Sequence, residues 1–185
     1  IANFFVYFVR YAVLDWGPTL LGEWKGVSIH HAGWMVAAFE ISGIVGMLVA
    51  GWATDRFFGG RGPRVCVICM ALATMFVALF WGISQPPMWL ATLLLGAAGF
   101  CIYGPQALVG IAAANIATKK AAATAVGFTG LFGYASTLVS GWGLGLLAQH
   151  YGWNIAVGAL ILIAIMGTLI FMAAWSAKAN GYDND

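Results

Sequence analysis

Six apolar runs, each about as long as a bilayer-crossing helix, fill almost the whole chain. They cover residues 1–21, 33–56, 65–84, 88–114, 122–148 and 154–175. At ~1.5 Å of rise per residue, about 20 residues cross a hydrocarbon core roughly 30 Å thick. In that medium every backbone N–H and C=O has to be paired within its own segment, which selects helices over open strands. The apolar/polar alternation of a membrane β-barrel strand is missing. Charged residues make up only 8% of the 185, against 62% apolar, whereas a soluble domain carries about 25% charged residues. So few charges cannot clothe a water-facing surface. The expectation is an all-α membrane protein, with a six-transmembrane-helix bundle over residues 1–175 and a short cytoplasmic tail over 176–185. The chain opens on Ile1 inside an apolar run and shows no leader with a cleavage site, so it reads as a piece of a longer protein.

The connections alternate in character. Residues 57–64 and 115–121 are basic, while 85–87 and 149–153 hold no Lys or Arg. One side of the membrane collects Arg56, Arg61, Arg64, Lys119, Lys120 and Lys178; the other has Lys25 alone. Lys and Arg concentrate on cytoplasmic loops, so both ends of the chain are expected inside the cell, with the bundle in a plasma membrane. Trp16, Trp34, Trp81, Trp89 and Trp153 fall near the outer ends of the runs, and Trp52 and Trp175 near the inner ends. Indole rings favour that headgroup level.

Several function classes drop out. A net charge of +2 without a basic stripe gives no grip on nucleic acid. Cys66, Cys69 and Cys101 sit inside apolar runs, and Cys66-x-x-Cys69 has no second pair, so the three read as packing residues. His30 and His31, placed in the outer loop, lack supporting ligands, so neither a metal nor a cofactor is expected. No paired-carboxylate site, Ser-His-Asp set or P-loop suggests an enzyme.

Arg10 stands out because it lies near the middle of the first run. An Arg there costs about 2.5–3.5 kcal/mol to insert, while each Leu, Ile, Phe or Val returns only about 0.3–0.6. Asn3, Tyr7 and Arg10, spaced by four and three, share one helical face. Such a face belongs in a water-filled cavity or a bundle interior, as part of a substrate pathway or as a structural ion pair. A guanidinium fork suits carboxylate or phosphate equally, so the expected substrate is an anion. Glu40 lies mid-way along the second run beside Ser42, Gly43 and Gly46. It reads as the partner of a cation on another helix or as a coupling group. Arg10 is the one clear intraspan cation, so the partner of Glu40 is expected beyond this chain. Gly96, Gly99, Gly104-Pro105 and Gly110 punctuate the fourth run. Gly127, Gly130, Gly133, Gly141 and Gly145 punctuate the fifth, with a G-x-x-x-G at 141–145. Close helix packing and hinging both use such residues. Tyr103 and Tyr134 stand beside them, each with a hydroxyl to offer a cavity.

The stretch Gly51-Trp-Ala-Thr-Asp55-Arg56-Phe-Phe-Gly-Gly-Arg61-Gly-Pro-Arg64 resembles the loop between the second and third helices of each half in the major facilitator superfamily. There it acts as an Asp–Arg charge latch, a role the resemblance carries to Asp55, Arg56, Arg61 and Arg64. Four stretches are similar to the C-terminal half of the organophosphate:phosphate antiporters: Tyr7-Phe-Val-Arg10-Tyr-Ala-Val-Leu-Asp15-Trp16, Tyr103-Gly104-Pro105, Lys119-Lys120-Ala-Ala and Gly127-Phe-Thr-Gly-Leu-Phe-Gly-Tyr134. The likeness is greatest to the glycerol-3-phosphate carriers. Hexose-6-phosphate carriers and hexose-phosphate sensors follow, and Gly104-Pro105-Gln106 is similar to the sensors. The resemblance implies one half of a twelve-helix fold that exchanges an organophosphate for inorganic phosphate by alternating access. Its partners would be the lipid bilayer and a missing N-terminal six-helix half. Arg10 would bind phosphate together with an arginine of that half. Tyr7, Tyr103 and Tyr134 would line the cavity, and Glu40 would pair with a lysine of the absent half. A sensor of hexose phosphates and a non-transporting structural subunit are the competing readings.

Overall fold

Each apolar run becomes one α-helix. The computed structural model describes residues 1–117 and 120–176. Lys119, Lys178 and nearly all of the expected tail lie outside the described residues. The helices are α1 (Ala2–Lys25), α2 (Ile29–Phe58), α3 (Gly62–Gly82), α4 (Met88–Ile116), α5 (Ala122–Tyr151) and α6 (Trp153–Ala173). Among the described residues, α2 to α6 are each long and apolar enough to cross a membrane. Helix α1, at 24 residues, also has the length but carries Arg10, Asp15 and Glu23 along it.

Helix ends follow from local chemistry. Gly26 adopts φ +68°, and its N–H returns to the Gly22 carbonyl while that of Val27 returns to Leu21. This left-handed cap satisfies carbonyls the last turn would otherwise orphan. The second helix begins earlier than its apolar run. Ser28 takes extended backbone angles at the N-cap, so His30 and His31 lie in the first turn of α2 rather than in a loop. Both stay exposed, and the Ser28 hydroxyl lies 2.8 Å from Nδ1 of His31.

Helix α2 lies along α4, α3 lies between α4 and α6, and α1 lies on α5. The α2–α4 contact is made through small residues. A Cβ on Gly46 would run into the Phe100 carbonyl, and one on Gly99 into the Phe39 carbonyl. The Ser42 hydroxyl donates to the Gly96 carbonyl at 2.7 Å. Backbones thus touch without intervening side chains, as small-residue membrane interfaces allow. Phe39, Met70, Ile102, Val6 and Val9 fill the adjoining core. Cys66 and Cys101 are buried in it as free thiols, as packing residues should be. Outward, α2 exposes Ile41, Ile44 and Leu48, and α5 exposes Phe128, Leu131, Leu138 and Trp142. Such apolar rows would be a liability in water and suit a bilayer or another apolar surface.

The two ends of the bundle differ in charge. Arg56, Arg61, Arg64 and Lys120 gather at one end, where the Arg64 guanidinium lies 5.4 Å from the Trp175 ring centre. At the other, the Lys25 ammonium caps the Ile83 carbonyl beside Trp24, and Trp153 donates to Glu23 at 2.8 Å.

Candidate anion-binding site

Arg10 is carried by α1 into the interior, where α2 and α4 supply its partners. Its Nη2 donates to Glu40 Oε2 at 3.1 Å and its Nη1 to Gln106 Oε1 at 3.1 Å. The Tyr103 ring lies beneath the guanidinium, 4.3 Å from Cζ, and Tyr11 flanks it at 5.5 Å. A cation over an aromatic face gains about 0.5–2 kcal/mol, more as water is excluded. The side chains of Arg10 and Glu40 remain 17% and 31% exposed, so the pair is shielded but not sealed.

Within this chain Glu40 has a partner that the sequence reading did not give it, Arg10 on α1, while its Oε1 stays unpaired among the described residues. Arg10 stands 15 residues before the end of α1 and Glu40 11 residues after the start of α2, so their depths differ by four residues (25−10 against 40−29). That offset is about one turn, roughly 6 Å, which two long side chains bridge. Gly43 shapes the same site. A Cβ there would strike the Tyr103 ring, so the missing side chain lets that ring lie against α2 and under the guanidinium.

Four buried polar atoms have no hydrogen-bond partner among the described residues: Arg10 Nε, Glu40 Oε1, Tyr103 Oη and Asn3 Oδ1. Unpaired buried polar atoms are rare and costly, typically about 1–3 kcal/mol each. Two of them, on Asn3 and Arg10, lie on the α1 face predicted to be polar, and those of Glu40 and Tyr103 come from α2 and α4 beside Arg10. Arg10 has donors left for an anion, since Nε is unused. Next to it, Tyr7 and Gln106 border a recess of about 560 Å³ between α1, α4 and α5.

A profile of the Major Facilitator Superfamily matches residues 1–181. The chain belongs to that superfamily. Over 177 residues it is 40% identical to a probable hexose phosphate transport protein of Chlamydia pneumoniae, covering 95% of this chain and 39% of the relative. It is 38% identical to a glycerol-3-phosphate transporter of Bacillus subtilis, covering 95% of this chain and 40% of the relative. It is 34% identical to the membrane sensor protein UhpC of Salmonella typhimurium, covering 94% and 39%. The chain therefore spans about two-fifths of the length of the curated relatives it matches. Its six helices are those of one half of a twelve-helix major facilitator fold, and it is a multi-pass membrane protein.

The residues expected at the site fall into two groups in this half. Arg10, Glu40 and Tyr103 converge. Tyr7 packs edge-on against Tyr134 at 5.6 Å one turn away, with Tyr134 60% exposed on α5. The superfamily loop lies apart at the basic end. Among the described residues Asp55 makes no ion pair with Arg56, Arg61 or Arg64; Asp55 and Arg61 line a separate recess of about 520 Å³ with Asn115. Arg64 is turned toward the end of α6, where its Nε donates to the Trp175 carbonyl at 3.4 Å.

Gln106 is the site residue that sequence reading passed over. Its signal was present, as a carboxamide deep in an apolar run directly after Pro105, but only the fold shows that it reaches Arg10. The G-x-x-x-G at 141–145 also acquires a different meaning. It seats an indole rather than a second helix: Trp16 Nε1 donates to the Gly141 carbonyl at 2.9 Å, and a Cβ on Gly145 would meet the Trp16 ring at 2.6 Å.

Proposed function

We propose that this chain is the phosphate-binding C-terminal half of a secondary transporter that exchanges an organophosphate, such as glycerol-3-phosphate or a sugar phosphate, for inorganic phosphate. The observation that carries this reading is Arg10, held at mid-depth on a tyrosine ring with an unpartnered Nε, and hydrogen-bonded to Gln106, which lines the neighbouring recess. A desolvated guanidinium binds a planar or tetrahedral oxyanion through two parallel hydrogen bonds, which a carboxamide or hydroxyl cannot match. The names of the relatives point to the same substrate class.

Charge counting refines the mechanism. Arg10 and Glu40 together are neutral, so a dianionic phosphate at this site needs further positive charge. The N-terminal six-helix half is the natural source, an arginine facing Arg10 across the central cavity. An anion bridging two cations stabilises the approach of the halves only while it is bound, so reorientation requires cargo and exchange follows. Tyr7, Tyr103 and Tyr134 line the path, and Glu40 holds the guanidinium when no anion is bound. Asp55, Arg56, Arg61 and Arg64 are placed to latch the basic end in the conformer in which they pair, and that end faces the cytoplasm of a bacterial inner membrane.

The test is exchange by the full-length protein in proteoliposomes loaded with inorganic phosphate and offered labelled glucose 6-phosphate or glycerol-3-phosphate. Arg10→Ala is expected to lower exchange by roughly 100-fold, equivalent to the ~3 kcal/mol typical of deleting one partner of a buried charge contact. Exchange at the wild-type rate would remove Arg10 from the mechanism. The kinship with UhpC, together with Gly104-Pro105-Gln106, supports a second reading as a membrane sensor. A deletion strain that keeps sugar-phosphate uptake but loses induction of a reporter would favour it.

A further inference from the structure

At the end of the bundle opposite the basic loops, three indoles and one carboxylate surround a recess of about 540 Å³. Trp16, Thr19 and Glu23 follow spacings of three and four, so they form one stripe of α1. Trp142 faces the recess from α5, and Trp153 from the start of α6. Two missing side chains make the room. Gly145 admits the Trp16 ring, and Gly141 lines the recess with nothing within 4 Å of where a Cβ would stand.

Two of the rings are held by their own N–H groups. Trp16 Nε1 donates to the Gly141 carbonyl at 2.9 Å, and Trp153 Nε1 to Glu23 Oε2 at 2.8 Å. They stand as adjacent walls, 5.9 Å apart between ring centres and inclined by 58°. Glu23 forms no ion pair among the described residues. Lys25, the cation nearest to it in sequence, is turned away onto the Ile83 carbonyl and the Trp24 ring. Among the described residues no Lys or Arg lines the recess, so an anion would meet only the Glu23 charge. A hard metal ion takes about six or more oxygen ligands, which Glu23, Thr19 and Gln149 do not supply. Indole faces beside a carboxylate suit a soft, bulky cation, and aromatic cages of this composition recognise substituted ammonium groups.

We propose that Trp16, Trp142, Trp153 and Glu23 form a cage for a substituted ammonium group. The indoles offer their faces to its alkyl-clad charge, and Glu23 neutralises it. Glu23 lies in the last turn of α1 and Trp153 opens α6, so the cage sits where the helices leave the hydrocarbon, at the level of lipid headgroups. The ammonium has two sources at that depth: the headgroup of a zwitterionic lipid, or a small organic cation from the water beyond. The cage shares no residue with the Arg10 site and stands whether or not Arg10 binds phosphate.

The test titrates tetramethylammonium chloride calorimetrically into the purified full-length protein, against sodium chloride at the same ionic strength. The wild type is expected to bind the first and not the second. Glu23→Gln removes the charge but keeps an acceptor for the Trp153 N–H, and Trp142→Leu removes a ring that is 74% exposed, so neither disturbs the core. Each is expected to raise the Kd at least fivefold. A second arm names the source, by thermal unfolding with added phosphatidylethanolamine or phosphatidylglycerol of the same acyl chains. A midpoint raised more by phosphatidylethanolamine, with the difference lost in Glu23→Gln, assigns the cage to a lipid headgroup; equal midpoints assign it to a free cation. A wild type that does not bind tetramethylammonium, or a Kd within twofold of the wild type in both variants, overturns the cage.

Discussion

Between α2 and α4 the glycines disappear into the contact, whereas along the first half of α5 they stand open. At Gly46 and Gly99 the missing Cβ is what lets one backbone carbonyl approach the other helix. At Gly127 and Gly130 the missing Cβ leaves room that nothing in this half fills. The helices of both regions are apolar enough to cross a membrane, yet their glycines do opposite things. One welds a pair of helices into a unit, and the other keeps a wall of the central recess thin. Small residues in a membrane helix therefore say little about function until their neighbours are known.

Alanine separates the two cases most sharply. Gly46→Ala forces a methyl into the Phe100 carbonyl, so α2 and α4 must part. The expected loss is about 3 kcal/mol, at the upper end for overpacking, read as a lowered midpoint in thermal unfolding of the detergent-purified protein. Ser42→Ala tests the same seam more gently by removing the 2.7 Å bond to the Gly96 carbonyl. Interhelical hydrogen bonds in membranes average about 0.6 kcal/mol, with a maximum near 1.7, so a fall of about 1 kcal/mol in the same assay is expected. Gly127→Ala should sit at the other end of the scale. With nothing within reach of the new methyl, better helix propensity leaves stability unchanged or raised by up to about 1 kcal/mol. Equal losses for Gly46→Ala and Gly127→Ala would erase the distinction between seam and wall.

Much of the fold was legible because the bilayer dictates the length of each apolar run. All six runs became helices, with ends displaced by at most four residues. The two largest displacements, at the end of α1 and the start of α2, arise where the helix continues past the apolar run. His30 and His31 are polar, and hydropathy stops there, but the helix already begins after Ser28. The site was legible residue by residue rather than as a set. Arg10 and Glu40 each declared themselves through the cost of a charge at mid-depth. Their contact did not, because a lone sequence shows which face of a helix is polar but not which faces meet. The same limit hid Gln106 and gave the wrong occupant to Gly145, where an indole rather than a helix backbone occupies the gap.

The buried thiols have a practical consequence. Cys66 and Cys101 are 2% and 5% exposed, and Cys69 is on the same stretch of α3, partly covered. Thiol reagents attack the thiolate and need water to reach it. The native cysteines should therefore stay silent toward polar maleimides, and spin or fluorescent labels placed at the rim would report on opening and closing without first stripping the chain of its own sulfur.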